Sequence, residues 1–175
     1  MNPSFSPFPA ETARALAGFE TYLAGERRYS PKTVSAYLSD VLACLRFFAS
    51  HLEDGASLSA LAEIKAADLR AYLAFRRSGP DPLGNASVGR ALSAIKRFYG
   101  FLETRHGIRN THVAMVSAPR RARHLPRPVS QIAARELIAA AEEANAAWIG
   151  ARDTALVTLL YGAGLRLSEA LSLTG

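Results

Sequence analysis

The chain has 175 residues, of which 49% are hydrophobic and 21% are charged, and this composition is ordinary for one large or two small folded domains. No apolar run approaches the roughly 18–20 residues of a membrane span, and the first residues lack the basic and apolar regions of a secretory signal. We therefore expect a cytoplasmic protein without a membrane partner. A single cysteine, Cys44, excludes an internal disulfide, and its helical spacing from apolar neighbours predicts a buried position.

The net charge of +6 is concentrated in one stretch of the chain. Between Thr104 and Arg135 there are seven arginines and no acidic residue, whereas the rest of the chain has 14 basic and 15 acidic residues. A localised basic segment is typical of proteins that bind nucleic acid, although a solvated basic linker gives the same pattern.

Residues 1–9 contain three prolines and no charge, which predicts a loose N-terminal arm. Apolar residues then recur at helical spacing and predict a bundle over residues 10–107. Its second helix has a strong start signal in Ser30-Pro31, because serine caps helices and proline suits their first position. The predicted helices cover residues 10–27, 31–50, 65–77 and 86–106, with a looser crossing at 55–64.

Residues 108–127 are interpreted as a basic linker that its prolines keep extended. A second domain is expected over residues 128–175, with one helix capped by Ser130 and another that begins near Trp148. Ile132, Leu137 and Tyr161 are expected to be buried there.

The end of the chain contains a glycine break, Gly162-Ala-Gly164, followed by Arg166. Only glycine enters the left-handed conformation that ends a helix at little cost. We expect Ser168 to cap the next helix, and Leu165 and Leu167 to anchor the turn in a core. A guanidinium presented from such a turn is suited to binding a phosphate, although an arginine that merely caps a helix would give the same pattern.

The stretch Leu-Leu-Tyr-Gly-Ala-Gly-Leu-Arg-Leu-Ser-Glu-Ala-Leu resembles the first-arginine box of the tyrosine recombinases, most closely the Xer type. The first half of the chain is similar to the core-binding domain of the same family. The motifs concerned are Glu-Arg-x-Tyr-Ser-Pro-x-Thr-x-x-x-Tyr, then Asp-Leu-Arg-Ala-Tyr-Leu, then Leu-Ser-Ala-Ile-Lys-Arg-Phe-Tyr-x-Phe-Leu.

The resemblance implies an all-α fold: a four-helix, SAM-like core-binding bundle, a basic linker, and the first helices of a catalytic domain. It implies that Arg166 holds the scissile phosphate of double-stranded DNA. For each proposed DNA contact the alternative is an ordinary solvated side chain. The implied contacts are Lys32, Thr33, Arg90, Lys96, Arg97, Arg120, Arg121 and Arg123.

Family members cut and rejoin DNA through a 3′-phosphotyrosine, without a metal or other cofactor, as tetramers that can include a partner recombinase. The family's lysine, His-x-x-Arg and nucleophilic tyrosine all follow the first arginine, but the six tyrosines of this chain precede Arg166. We therefore expect a fragment or truncated product that is inactive alone. Chromosome-dimer resolution is the favoured role. The alternatives are a mobile-element integrase, a stand-alone DNA-binding module and a helical protein-binding scaffold; no small-molecule substrate or metal site is expected.

Overall fold

The computed structural model describes residues 5, 7–52, 55–79, 81–119, 128–143 and 146–173. The chain forms two compact units, residues 1–122 and 123–175. Every regular element among these described residues is helical and none is a strand, which confirms the predicted all-α class. No helix in the described ranges is both long and apolar enough to span a membrane.

The described residues of the first unit form four long helices, two short ones and a π-helical turn. The long helices lie within a few residues of their predicted positions. The largest difference is at the end of the first helix, where the last turn widens into the π-helical form. The elements are α1 (Ala10–Thr21), the π-helical turn (Tyr22–Glu26), α2 (Pro31–His51), α3 (Leu58–Ala62), α4 (Ala66–Ser78), α5 (Asn85–His106) and α6 (Thr111–Met115).

Aromatic side chains form the centre of the first unit. The rings of Phe19 and Phe98 meet edge to face with centroids 5.1 Å apart, a favourable geometry for two quadrupoles. Cys44 is buried as predicted, and this burial raises the pKa of its thiol. Phe5 and Phe8 are buried in the same core. The prediction of a loose N-terminal arm is therefore wrong for these two residues, whose large apolar rings gain by leaving water.

The short helix α6 is attached to the bundle, although its residues were interpreted as part of the linker. Val113 and Val116 are buried in the core of the first unit. The Asn110 side chain joins α6 to the end of α3 and the loop that follows it. Its amide nitrogen donates to three carbonyl oxygens there, while its oxygen accepts two N–H groups at the start of α6. The acceptors are Leu61 (3.3 Å), Ala62 (3.0 Å) and Ile64 (2.8 Å), and the donors are His112 (3.0 Å) and Val113 (3.3 Å).

Replacing Asn110 with alanine is expected to destabilise the first unit by about 1–3 kcal/mol, because partly buried backbone groups lose their partner. Amide hydrogen exchange should accelerate at His112 and Val113, whose N–H groups bond to the Asn110 oxygen. Thr111→Ala is the matched control, since that side chain is exposed. Equal protection of α6 in both variants would show that Asn110 does not hold it.

The second unit contains α7 (Gln131–Glu142), α8 (Ala147–Gly162) and α9 (Leu167–Ala170), with the Ser130 hydroxyl capping α7 as predicted. Gly150 lets α8 approach α7 closely, because a Cβ there would lie 3.0 Å from the Ala141 carbonyl oxygen. These three helices bury few side chains.

Several large apolar side chains of the second unit are exposed, so the burial predicted for Ile132, Leu137, Tyr161 and Leu167 is wrong for this chain. A helix that is apolar all round needs neighbours on every side, and α8 packs on α7 and the short α9. An apolar surface of this kind favours association with other apolar groups. The exposed side chains are Val129, Ile132, Leu137, Trp148, Tyr161, Leu167, Leu171 and Leu173.

Candidate nucleic-acid interface

The start of α2 presents a lysine beside a well-formed cap. The Ser30 hydroxyl accepts the Thr33 backbone N–H at 3.3 Å and lies 2.9 Å from the Thr33 hydroxyl. Lys32 is exposed and has no ion-pair partner in the described part of the chain. Of the two predicted DNA contacts here, Lys32 is therefore available, whereas the Thr33 hydroxyl is already engaged in the cap.

Arg90, Ser93 and Arg97 follow one another at helical spacing along α5, and they differ in how they are bonded. Arg90 and Ser93 are exposed and Arg97 is half-buried. The Ser93 hydroxyl donates to the Gly89 carbonyl at 2.9 Å. Arg97 has no hydrogen-bond or ion-pair partner within the described ranges, so its charge is uncompensated by a direct contact.

Arg90 makes a two-pronged ion pair with Asp40 of α2. Its Nε donates to Oδ2 of the carboxylate at 2.8 Å and its Nη2 donates to Oδ1 at 3.3 Å. The Asp40 side chain is 5% exposed and the Arg90 side chain 47% exposed. The hydrogen bond and the carboxylate charge raise the pKa of Arg90 further above its ordinary value.

Asp40 was missed by the sequence analysis, although a signal was present. The residue lies three positions after Tyr37 and four before Cys44, which places an acidic side chain on the buried face of α2. A buried carboxylate requires a partner. Its partner is Arg90, which the sequence analysis listed only as an implied DNA contact.

Lys96 has a partner inside the first unit. Its ammonium donates to the Ala114 carbonyl oxygen at 2.9 Å, so it contributes to holding α6. A DNA contact from Lys96 would share this ammonium with the carbonyl or replace that hydrogen bond.

The basic stretch is partly compensated where it can be described. Arg105 pairs with Glu26, and Arg109 lies 3.5 Å from Glu103. The three linker arginines predicted to contact DNA, Arg120, Arg121 and Arg123, lie outside the described residues.

Arg166 lies directly before α9, and Glu169 rather than Ser168 completes the cap. The Glu169 Oε2 accepts the Arg166 backbone N–H at 2.8 Å, and its Oε1 accepts from Nη1 of the guanidinium at 3.0 Å. The prediction that Ser168 caps this helix is therefore wrong, because α9 begins at Leu167 and Ser168 lies within it. A glutamate three residues after the cap position supplies the reciprocal half of a capping box.

The Arg166 side chain is 84% exposed, so its guanidinium is accessible. Two hydrogen bonds lower the pKa of Glu169. The larger effect comes from the Arg166 backbone N–H and the smaller from the Arg166 side chain. The cap is therefore formed above the ordinary pKa range of a carboxyl group and is lost as the pH falls through this lowered pKa. Residue Gly164, at φ +65°, supplies the left-handed turn that precedes it.

No group of three or more histidine, cysteine or acidic side chains lies close enough to bind a metal ion in the described ranges. Each unit separately carries cationic side chains: Lys32, Arg90 and Arg97 lie on the first unit, and Arg166 lies on the second. Such groups bind anions, and planar guanidinium groups suit phosphate oxygens in particular.

The chain belongs to the phage integrase N-terminal SAM-like domain family, which matches residues 16–106. This assignment confirms the tyrosine recombinase resemblance, and the chain is similar to several proteins named tyrosine recombinase XerC. It is 40% identical over 168 residues to that of Nitrobacter winogradskyi, covering 94% of this chain and 51% of the relative. Identity is 41% over 167 residues to that of Rhizobium meliloti, covering 94% and 50% respectively.

A third relative, from a Methylobacterium species, is 39% identical over 178 residues, covering 98% of this chain and 53% of the relative. The chain thus spans about half the length of the curated relatives it matches. No solved structure matches the chain.

Proposed function

We propose that this chain is the DNA-binding part of a site-specific tyrosine recombinase. The observation that carries the proposal is that α2 and α5, which pack against each other, carry the exposed cations Lys32 and Arg90 and the half-buried Arg97. Cations on a folded surface bind the phosphate backbone of double-stranded DNA irrespective of sequence and set the protein's register on it. The similarity to proteins named tyrosine recombinase supports the same partner.

Arg166 is proposed to hold the scissile phosphate. One of its N–H groups bonds to Glu169, and the other donors of an 84% exposed side chain remain accessible. Negative charge gathers on the non-bridging oxygens when a phosphodiester is attacked, and a fixed guanidinium stabilises that charge.

The complete reaction is proposed to be strand cleavage and rejoining through a 3′-phosphotyrosine, with no metal or other cofactor. The tyrosine oxygen forms a bond to phosphorus while the 5′ oxygen leaves, so the phosphoester energy is retained for rejoining. Chromosome-dimer resolution in the cytoplasm, by a tetramer that includes a partner recombinase, is the role we propose for the whole enzyme.

The 175-residue chain is expected to bind double-stranded DNA without cutting it, since all six of its tyrosines precede Arg166. Fluorescence anisotropy with a labelled duplex of about 30 base pairs and arbitrary sequence measures the binding. At low salt we expect a Kd below about 10 μM, since non-specific binding already reaches roughly 1–100 μM at physiological salt. A denaturing gel checks for covalent protein–DNA product, which should be absent.

The double variant Lys32→Gln/Arg97→Gln is expected to weaken this binding about tenfold or more. The matched control is Arg14→Gln/Arg70→Gln, which removes the same charge from exposed positions on α1 and α4. An equal loss in both double variants would contradict the proposed surface, and absence of any binding by the unmodified chain would contradict the proposed function.

A further inference from the structure

We propose that Asp40 is a positioning residue that fixes the guanidinium of Arg90 for contact with a DNA phosphate or base. The inference rests on the proposed function, because it assumes that α5 faces DNA. It assigns a role in DNA binding to a buried acidic residue that DNA itself does not touch.

The geometry separates the two ends of the Arg90 guanidinium. Its Nε and one N–H of Nη2 bond to the Asp40 carboxylate at 2.8 and 3.3 Å. The other three N–H groups have no acceptor among the residues that the structure describes. The Arg90 side chain is 47% exposed and the Asp40 side chain 5% exposed. The buried carboxylate therefore binds the inward-facing N–H groups of the guanidinium, and the remaining N–H groups can donate to a ligand in solution.

The backbone of Asp40 is contacted by a neighbouring helix. The Tyr72 hydroxyl of α4 lies 3.5 Å from the Asp40 carbonyl oxygen, and the Arg76 guanidinium donates to the same hydroxyl at 3.4 Å. The part of α2 that carries Asp40 is therefore contacted from both α4 and α5. A side chain fixed in this way before binding loses less conformational entropy when it contacts a ligand.

Attachment of α2 to α5 does not by itself require this pair. Replacing a buried ion pair by apolar residues of similar volume is often neutral or stabilising, and the two helices already share a continuous apolar core. What the pair adds is a defined direction for a long cationic side chain at the surface.

Charge and positioning predict opposite effects for Asp40→Asn. The substitution removes one negative charge from the first unit, so electrostatics alone predicts tighter DNA binding. If Asp40 positions Arg90, the Arg90 guanidinium loses its hydrogen bonds to a charged carboxylate and is no longer held in one orientation. DNA binding should then weaken by about five- to tenfold. Asp68→Asn is the matched control, because it removes the same charge at the start of α4 while an amide oxygen can still accept the Lys65 backbone N–H.

The test measures Kd for the arbitrary-sequence duplex of about 30 base pairs at 50 mM salt, below the Tm of every variant. Arg90→Gln should weaken binding by a similar factor, and the double variant Asp40→Asn/Arg90→Gln should bind no more weakly than Arg90→Gln alone, because both changes remove one interaction. Unchanged or tighter binding by Asp40→Asn, or additive losses in the double variant, would overturn the proposal.

Arg90→Lys keeps the test decisive if Asp40→Asn fails to fold. Lysine retains the charge but not the planar fork, so its DNA affinity should also fall, and wild-type affinity in this variant would overturn the inference. Failure of the inference is distinguishable from failure of the proposed function. In the first case Lys32→Gln/Arg97→Gln still weakens binding while the Asp40 and Arg90 variants do not; in the second the unmodified chain binds no duplex.

Discussion

Raising monovalent salt from 50 to 200 mM is expected to weaken DNA binding by about 10³-fold. Each phosphate neutralised by lysine or arginine releases condensed counterions, with a slope of about −0.9 per contact in a plot of log affinity against log salt. Six such contacts give a slope near −5, and a fourfold rise in salt then gives the stated loss. The six cations counted are Lys32, Arg90, Arg97, Arg120, Arg121 and Arg123; Arg166 is left out because its proposed contact is with the scissile phosphate, which an arbitrary duplex need not place there.

The linker arginines provide an internal check on this count. Replacing Arg120 and Arg121 with glutamine should reduce the magnitude of the slope by about 2. Arg105 and Arg109 belong to the same basic stretch, but each is paired with a glutamate of the first unit. The matched variant Arg105→Gln/Arg109→Gln should therefore change the slope much less. Equal changes would mean that the stretch acts through total charge rather than through particular arginines.

The local features of the first unit were predictable because they depend on neighbouring residues. Ser30 and Pro31 start α2 where the sequence indicated, and the Ser130 hydroxyl caps α7 for the same reason. The helical spacing of apolar residues likewise predicted the bundle to which α5 belongs. In each case the determinant lies within one or two helical turns of the residue it affects.

Long-range pairs were not predictable from a single sequence. Arg90 meets a carboxylate 50 positions away and Lys96 meets a carbonyl 18 positions away. Both residues looked like free surface cations on α5, because helical spacing gives the face on which a side chain lies and not what approaches that face. The pairing of Arg90 with Asp40 depends on how α2 crosses α5.

The site around Arg166 was predicted in part. The glycine break and an accessible arginine were expected, and the guanidinium is indeed exposed. The wrong cap arose because Ser168 and Glu169 both provide capping oxygens, and the choice between them depends on the residue at which the helix begins. The wrong burial of Leu167 and Tyr161 has another cause: hydrophobicity indicates which side chains favour a core, not whether the described helices suffice to build one.

Replacing Phe98 with alanine is expected to destabilise the first unit by about 3–5 kcal/mol, because the ring leaves a cavity that the surrounding helices fill only partly. Phe98 is 1% exposed and packs edge to face on Phe19, with centroids 5.1 Å apart. A domain is stable by only about 5–15 kcal/mol in total, so this single change removes a large fraction. Urea unfolding followed by far-UV circular dichroism measures the loss.

The control for Phe98→Ala is Phe75→Ala, which removes the same ring from a position that is 48% exposed. Its expected cost is about 1 kcal/mol, since less apolar area returns to water and no enclosed cavity forms. DNA binding should weaken with Phe98→Ala in proportion to the unfolded fraction, because Arg90 and Arg97 lie on the same helix as Phe98. Equal losses of stability in the two variants would contradict the prediction that the buried aromatic side chains contribute most to the stability of the first unit.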